Sequence, residues 1–296
     1  MTDNAKGVLL ALLGAILFSS KAIFVKLSYQ FEVDTLTVLM LRMGFALPIY
    51  GFISVRESRG FKPNSISVKD WFILVIIGLI GYYFASLLDF FGLNYVSAGL
   101  ERLILFLYPT ITLLLAALLF KRKITKNQVL AISVAYLGIL IAFWNQLFVA
   151  VHPEFWWGVF LIFGSACTFS LYLVGSERII PKFGVTRFTA YCMVISCSAV
   201  LVHYGVSATP DITSHSWQVY LLGLSIAVFN TVIPSFLISS AISKIGAAKT
   251  SALSSVGPVF VILAAAVFLA EPITIPKVIG ALVVILGIYL VSKSKR

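Results

Sequence analysis

The stretch Leu107-Tyr108-Pro109-Thr110 recurs in the second half of the chain as Val256-Gly257-Pro258-Val259. Each copy is followed by a similar joint and a similar apolar segment: Lys121-Arg122-Lys123-Ile124-Thr125 and Gly138-Ile139 after the first, Ala270-Glu271-Pro272-Ile273-Thr274 and Gly287-Ile288 after the second. The two halves open with Gly7-Val8-Leu9-Leu10 and Gly158-Val159-Phe160-Leu161. This order predicts two internal repeats, residues 1–146 and residues 147–296.

The composition excludes the water-soluble classes of protein. Of the 296 residues, 60% are hydrophobic and 11% are charged, whereas a soluble domain is nearer half apolar and a quarter charged. The formal net charge of +11 comes from short basic runs between long apolar segments. Such runs are typical of loops retained in the cytoplasm and not of a nucleic-acid-binding face. We therefore predict an all-α integral membrane protein whose partner is the lipid bilayer and not nucleic acid.

The apolar segments predict about ten transmembrane helices, since a spanning helix needs roughly 20 apolar residues. Their predicted bounds are Gly7 to Leu27, Thr35 to Ser54, Trp71 to Leu93, Ala98 to Phe120, Asn127 to Asn145, Trp157 to Ser176, Thr186 to Val206, Trp217 to Ser240, Ala247 to Leu269 and Ile275 to Ser292. With five spans in each half, the second repeat enters the membrane upside down relative to the first. The predicted architecture is two inverted five-helix repeats.

The joints between the spans predict the orientation, because basic loops stay in the cytoplasm. If the N-terminus is inside, the cytoplasmic joints hold most of the basic residues: Lys6, Arg56, Arg59, Lys62, Lys69, Lys121, Arg122, Lys123, Lys126, Arg178, Lys182, Arg187, Lys244, Lys249, Lys293, Lys295 and Arg296. The opposite joints hold mainly acids: Glu32, Asp34, Glu154, Asp211 and Glu271. We predict a multi-pass protein of the plasma (inner) membrane with both termini in the cytoplasm.

Several of these motifs, in this order, resemble the drug/metabolite transporter superfamily. The matching pieces are Leu100-Glu101-Arg102 leading to Tyr108-Pro109, Gly257-Pro258, Glu271-Pro272-Ile273-Thr274, and Phe18-Ser19-Ser20-Lys21-Ala22 in the opening helix. Nearly the whole chain resembles two repeats of its EamA-type members. The resemblance implies a ten-helix secondary transporter or exporter of small metabolites with a central cavity, and it supplies no substrate.

Five ionisable residues lie inside the predicted spans: Lys21, Arg42, Asp89, Glu101 and Arg102. A charged side chain costs at least ~2.5 kcal/mol at the centre of a span, so those present usually face a wet cavity or a partner. All five fall in the predicted outer half of the membrane, which suggests a shared place. We treat them as candidate groups for substrate binding or for coupling to protons.

The sequence allows several pairings among these charged side chains. Asp89 either pairs with Arg102 or contacts substrate directly, and Lys21 has Asp89, Glu101 or a ligand as partner. Because neighbouring residues on a helix point ~100° apart, we expect Glu101 and Arg102 not to reach one spot, and one of them to extend to the outer interface. Arg42 either contributes to function or ties the second span to backbone carbonyls or to Asp89.

The repeat places neutral groups where the first half has charges. Tyr172 is near the equivalent of Lys21, and Thr250 and Ser251 are at those of Glu101 and Arg102. One side of the cavity can then hold ionic groups while the other orients a polar substrate, an asymmetry that suits a zwitterion or an anion. The five charges within the spans sum to a net positive charge of one. Protonation of either acid would increase this charge, which links proton movement to substrate affinity.

Two further sets of residues are candidates. Pro109 and Pro258 are repeat mates, and the bends they cause serve either as hinges of alternating access or as static kinks. Tyr83, Tyr108 and Tyr172 are candidates for the wall of a substrate pocket, although packed or lipid-facing rings explain most aromatic residues in such a chain.

The sequence holds no sign of an enzyme, a metal site or a cofactor site. His152, His203 and His215 lack ligand spacing, and no catalytic triad, phosphate loop or cofactor fingerprint is present in a sensible context. We predict a secondary transporter, and not an enzyme, that exports a small polar metabolite such as an amino acid by alternating access through a central cavity. The alternative is a lipid-linked substrate translocase or an accessory membrane subunit. The substrate, the direction, the coupling ion and the oligomeric state stay open.

Overall fold

The protein is helical throughout the residues that its structure, a computed structural model, describes: 2–59, 66–96, 98–144, 154–207, 215–268 and 273–293. These ranges contain no strand. In these ranges, six helical segments are long and apolar enough to cross a membrane, and shorter apolar helices complete the remaining spans. The prediction of an all-α membrane protein with about ten spans is therefore confirmed.

The first five spans are formed by the described residues before 145. Their helices are α1 (Asp3–Ser19) and α2 (Lys21–Tyr29) in the first span, α3 (Thr35–Ser58) in the second, α4 (Val68–Gly78) and α5 (Ala85–Gly92) in the third, α6 (Ala98–Leu105) and α7 (Tyr108–Phe120) in the fourth, and α8 (Lys126–Phe143) in the fifth. A π-helical turn, Leu79–Phe84, joins α4 to α5.

The last five spans repeat this plan. Their helices are α9 (Phe155–Phe183) in the sixth span, α10 (Val185–Val206) in the seventh, α11 (Trp217–Ala227) and α12 (Ile233–Ile245) in the eighth, α13 (Ala247–Leu253) and α14 (Val256–Phe268) in the ninth, and α15 (Ile275–Lys293) in the tenth. A second π-helical turn, Val228–Val232, joins α11 to α12. The two π turns lie in repeat-related spans, the third and the eighth.

The sixth span is longer than predicted. The sequence places its end at Ser176, before the charged residues Glu177 and Arg178, but α9 continues to Phe183. Its last turns project those charges at the membrane surface, where Glu177 binds Arg122. The helix ends at Gly184, whose φ of 79° is one that glycine adopts without strain.

Three spans are broken near their middle, at Ser20, between α6 and α7, and between α13 and α14. The second and third breaks come just before Pro109 and Pro258, which occupy the first turn of α7 and α14. A proline is compatible with a first turn but removes the hydrogen bond to the preceding turn. The bends predicted at these prolines are thus complete interruptions located a few residues earlier.

The two halves meet through repeat-related helices. The first span packs on the eighth and the third on the sixth, while the second, fourth and fifth spans pack on the seventh, ninth and tenth. The backbones of the fifth and tenth spans approach closely, since a Cβ at Gly280 would lie 2.4 Å from the carbonyl oxygen of Gly138. These pairings are those expected of two similar halves related by an internal axis. The predicted boundary between residues 146 and 147 lies outside the described residues, as do Glu271 and Pro272.

Ion pairs gather at one end of the bundle. Asp3 binds Lys244 at 2.7 Å, and Lys182 binds Asp70 at 2.6 Å. Both pairs join helix ends that the charge pattern assigns to the cytoplasm. The alternation of the spans is therefore consistent with that pattern, and the side of the membrane on which this end lies stays a prediction.

Candidate functional site

A cavity at the centre of the bundle collects polar side chains from both halves. Its volume is about 50 Å³, room for a few water molecules at ~10–15 Å³ each and far less than the ~300–1,000 Å³ of a typical ligand pocket. Its polar lining comes from Ser19, Lys21, Ser86, Arg102, Tyr108, Ser165, Thr250, Ser251 and Ser254. In this conformation the bundle is contracted around its centre.

Lys21 and Asp89 form a buried ion pair across the first and third spans. Lys21 is the first residue of α2, immediately after the break at Ser20, so the break presents its side chain to the bundle interior. The ammonium also lies 5.2 Å from the ring centroid of Phe18 and 5.5 Å from that of Phe90. Of the partners that the sequence allows for Lys21, the structure selects Asp89.

Glu101 and Arg102 also contact each other, although they are adjacent in α6. The Arg102 Nε atom is 2.9 Å from the Glu101 Oε2 atom, and both side chains are buried. The expectation that they diverge and that one reaches the interface is wrong, because the long arginine side chain folds back to its neighbour. The N–H does not point at the carboxylate oxygen, so the contact is ionic without a hydrogen bond.

The two ion pairs join through their acids. The carboxyl groups of Asp89 and Glu101 are close enough to interact with each other, and Asp89 Oδ1 and both Glu101 oxygens have no hydrogen-bond partner among the described residues. Two ionised carboxylates have no hydrogen to share, so this contact becomes a hydrogen bond only when one of them holds a proton. Lys21, Asp89, Glu101 and Arg102 therefore form one buried group, which we call the charge cluster. The alternative pairing of Asp89 with Arg102 is not the one observed.

Arg42, on the second span, lies beside the charge cluster and is fully buried. Its Nε atom donates to the Thr231 hydroxyl at 2.7 Å and its Nη1 atom to the Ser86 hydroxyl at 2.9 Å. Its guanidinium carbon is 5.4 Å from the Phe90 ring centroid. The predicted partners of Arg42, backbone carbonyls or Asp89, are wrong. Its hydrogen bonds go to the hydroxyl groups of Thr231, in the second π turn, and Ser86, just after the first.

Phe169, on the sixth span, organises an aromatic wall beside the cavity. Its ring stacks on Phe18 at 5.5 Å and meets Tyr108 edge-on at 5.5 Å. Tyr172 packs behind it, with ring centroids 5.9 Å apart, and Tyr82 contacts Tyr172 at 5.0 Å. Of the predicted wall residues, Tyr108 lines the cavity and Tyr172 supports the ring that does.

Tyr83 does not join this wall. Its hydroxyl is 3.0 Å from His203 Nδ1, and its ring contacts Phe84. Its neighbour Tyr82 takes the inward direction, because adjacent residues of a helix face different sides. The prediction that Tyr83 forms part of the pocket wall is wrong, and Tyr82 packs against the rings of the aromatic wall without lining the cavity.

The ninth span contributes hydroxyl groups from the turn around its break. Thr250 and Ser251, the predicted equivalents of Glu101 and Arg102, line the cavity together with Ser254. Each donates its hydrogen to a carbonyl of its own helix: Thr250 to Gly246, Ser251 to Ala248 and Ser254 to Thr250. Their oxygens therefore face the cavity as hydrogen-bond acceptors.

The breaks in the first and ninth spans touch each other. A Cβ at Gly257 would lie 2.0 Å from the Ser19 hydroxyl oxygen and 3.1 Å from the Ser19 Cβ atom, so a larger residue at position 257 would displace the Ser19 side chain. On the other side, the Asn230 amide in the second π turn donates to the Leu17 carbonyl at 2.6 Å and the Ser20 hydroxyl at 2.5 Å. These contacts satisfy backbone groups that the break leaves without helical partners.

Comparison with known proteins agrees with this geometry. The model of the EamA-like transporter family matches residues 5–144 and again residues 156–293. The chain belongs to this family. The resemblance drawn from the sequence is confirmed, and the two matched ranges follow the two halves of the helical bundle. Family membership identifies a multi-pass membrane transporter.

The relatives of this EamA-like transporter carry the same general description. The uncharacterized transporter YcbK of Bacillus subtilis (strain 168) is 31% identical over 285 residues, which cover 94% of this chain and 90% of the relative. An uncharacterized transporter of Archaeoglobus fulgidus is 25% identical, with 92% of this chain and 93% of the relative covered. A solved crystal structure shares the fold with a TM-score of 0.75 at 16% identity, over 97% of this chain and 96% of that chain.

Phe169 escapes the sequence argument in this EamA-like transporter, and Thr231 is predicted only from the bend at Pro234, as cavity lining or as a contact between helices. Phe169 had a usable signal, because the repeat that aligns Gly7 with Gly158 also aligns Phe18 with Phe169, and these two rings stack. Thr231 had a weaker one, its nearness to Pro234. Its contact with Arg42 depends on the π turn, which has no clear sequence signature.

Proposed function

We propose that this protein is a secondary transporter that exports a small polar metabolite, such as an amino acid or a related compound, by alternating access. The observation that carries the proposal is the charge cluster beside the central cavity. Its four ionisable side chains are nearly fully buried, and burying such groups is unfavourable unless they serve a site. A purely structural bundle has no need of them.

The helix breaks support the alternating-access part of the proposal. All three lie at the central cavity: Ser19 and Lys21 flank the first, Phe106 and Tyr108 the second, and Ser254 lies within the third. Short helices that meet at a break reorient more easily than one continuous helix. Pro109 and Pro258, just after two of the breaks, are the proposed hinges.

A second cavity supports a route from the predicted cytoplasmic end. It lies between the fourth, fifth, eighth and ninth spans, has a volume of about 440 Å³, and is lined in part by Arg122, Lys123, Thr125, Gln128 and Lys249. We call it the inner pocket. It is large enough for a metabolite, and α13 lines both it and the central cavity. Substrate that enters here reaches the charge cluster when the central cavity widens.

The contact between Asp89 and Glu101 supports proton coupling. One proton between the two carboxyl groups gives them a hydrogen bond, and its loss leaves two facing anions. Binding or loss of this proton therefore changes the net charge of the charge cluster beside the substrate. Coupling of proton movement to substrate binding requires such a change.

Proteoliposomes of purified protein test the proposal by counterflow of labelled amino acids, sugars and nucleobases, with and without a pH gradient. One class should exchange saturably, and an opposing gradient of one pH unit should raise its accumulation up to about tenfold if one proton moves per substrate. Glu101→Gln should abolish the gradient effect, because an amide cannot take up the proton. Asp70→Asn, which neutralises a carboxylate at the end of the bundle, is the matched control.

An unchanged response to the gradient in Glu101→Gln would contradict proton coupling. If well-folded protein carries no member of the panel, a lipid-linked substrate or an accessory role replaces the proposal.

A further inference from the structure

We infer that the substrate is a small organic anion, with a net negative charge and a hydroxyl or amino hydrogen-bond donor, and not a neutral molecule or a simple zwitterion. The inference rests on the proposed transport function and specifies the substrate class of the same cavity. It depends on which members of the charge cluster face the cavity, on the balance of buried charge, and on the hydrogen bonds that remain unmade.

The charged groups that face the cavity are both cations. Lys21 and Arg102 belong to the cavity wall, whereas Asp89 and Glu101 lie behind them and do not line it. The rest of the polar lining is neutral hydroxyl. A ligand in the cavity therefore meets positive charge first, and its own negative charge is the group that the wall favours.

The buried charge is not balanced within the protein. Lys21 pairs with Asp89, and Arg102 contacts Glu101. Arg42 has only hydroxyl and aromatic partners, and no ion pair among the described residues includes it. With both acids ionised the five groups carry one positive charge, and with one proton between the acids they carry two. An unbalanced buried charge is unfavourable, so binding of an anion relieves it.

Unmade hydrogen bonds of both polarities remain in the bundle centre, and those on the cavity wall are donors. Arg102 Nε and Nη2 belong to a lining residue and have no acceptor among the described residues. Asp89 Oδ1 and both Glu101 carboxylate oxygens are buried acceptors without a donor, but these two residues do not line the cavity. A second wall, formed by Thr250, Ser251 and Ser254, presents oxygens whose hydrogens are already used by their own helix. The ligand that satisfies both walls has a carboxylate or phosphate at one end and an O–H or N–H group at the other.

The inner pocket extends this electrostatic pattern. Its described lining contains Arg122, Lys123 and Lys249 and no acidic residue. Glu177 lies nearby but is engaged by Arg122 and by the backbone of Ala247. The positive charge of the inner pocket, followed by the cations of the central cavity, raises the local concentration of anions and lowers that of cations.

Counterflow with charge-matched pairs tests the inference. The pairs have nearly equal size and differ in net charge: glutamate with glutamine, aspartate with asparagine, and lactate with lactamide. Propionate, an anion without the hydroxyl donor of lactate, tests the second wall. In any pair that is carried, the anion should exchange at least about tenfold faster than its neutral or zwitterionic partner.

Arg102→Gln should reduce that preference to less than about twofold, since it removes a cation from the cavity wall. Lys182→Gln, which removes a cation at the end of the bundle, should retain it. Exchange of glutamine, asparagine or lactamide as fast as the matching anion would overturn the inference while leaving the proposed transport function in place. If no compound of any class exchanges through folded protein, the transport proposal and the inference both fall.

Discussion

Lys21→Met is expected to lower the free energy of unfolding by about 3–5 kcal/mol and to abolish transport. The substitution leaves Asp89 buried without its counter-charge, since the two side chains are only 3% and 1% exposed. Asp89→Asn should cause a similar loss by leaving Lys21 unpaired. The double variant removes both charges, so most of the stability should return while transport does not, because Lys21 faces the cavity. Chemical unfolding in detergent micelles measures the first effect, and counterflow measures the second.

The pair Lys182 and Asp70 is the matched control. It has the same residue types, but it lies at the end of the bundle and the Lys182 side chain is 43% exposed. Exposed pairs contribute about 0–1 kcal/mol, so Lys182→Met should change stability little and leave transport intact. If Lys21→Met and Lys182→Met lost equal amounts of stability and transport, the burial of the Lys21–Asp89 pair would have no special effect. That result would contradict a functional role for this pair.

Arg42→Lys is expected to cost about 3–5 kcal/mol of stability and most of the transport rate, although it conserves the charge. The guanidinium bridges Thr231 on the eighth span and Ser86 on the third with two hydrogen bonds, each worth about 1.5–3 kcal/mol when the donor is charged. A lysine ammonium has no fork and cannot make both bonds at these positions. The same two assays, unfolding and counterflow, measure the outcome.

Thr231 supplies the matched variants for this bridge. Thr231→Val removes the acceptor and should reproduce part of the Arg42→Lys effect, whereas Thr231→Ser keeps the hydroxyl and should behave as the native protein. A native-like Arg42→Lys protein would mean that only the charge of Arg42 matters and that the bridge between the π-turn regions is dispensable.

The number and order of the spans could be predicted from the sequence because bilayer thickness imposes the length of an apolar helix. The convergence of Lys21, Asp89, Glu101 and Arg102 could be predicted for a related reason. Each is rare within its apolar surroundings, and the topology places all of them at one depth. Ionisable residues within apolar spans were therefore the most informative residues for locating the site.

The internal shape of the spans could not be predicted. The break at Ser20 has no proline, and the π turn Leu79–Phe84 has no sequence signature, so both depend on packing between helices. These irregularities decide which neighbour faces inward, which is why Tyr82 and not Tyr83 joins the aromatic wall. The pairing of Arg102 with Glu101 depends on side-chain flexibility, which helix periodicity ignores.

The most direct test of alternating access is the accessibility of a cysteine at Ser254, a cavity-lining residue beside the break in the ninth span. Cys167 is replaced by serine first, while Cys192 and Cys197 are buried and serve as unreactive background. In Ser254→Cys protein that still transports, a membrane-impermeant maleimide should label the new thiol from either side of the membrane. Labelling from one side only, with transport intact, would contradict a cavity that opens alternately to both.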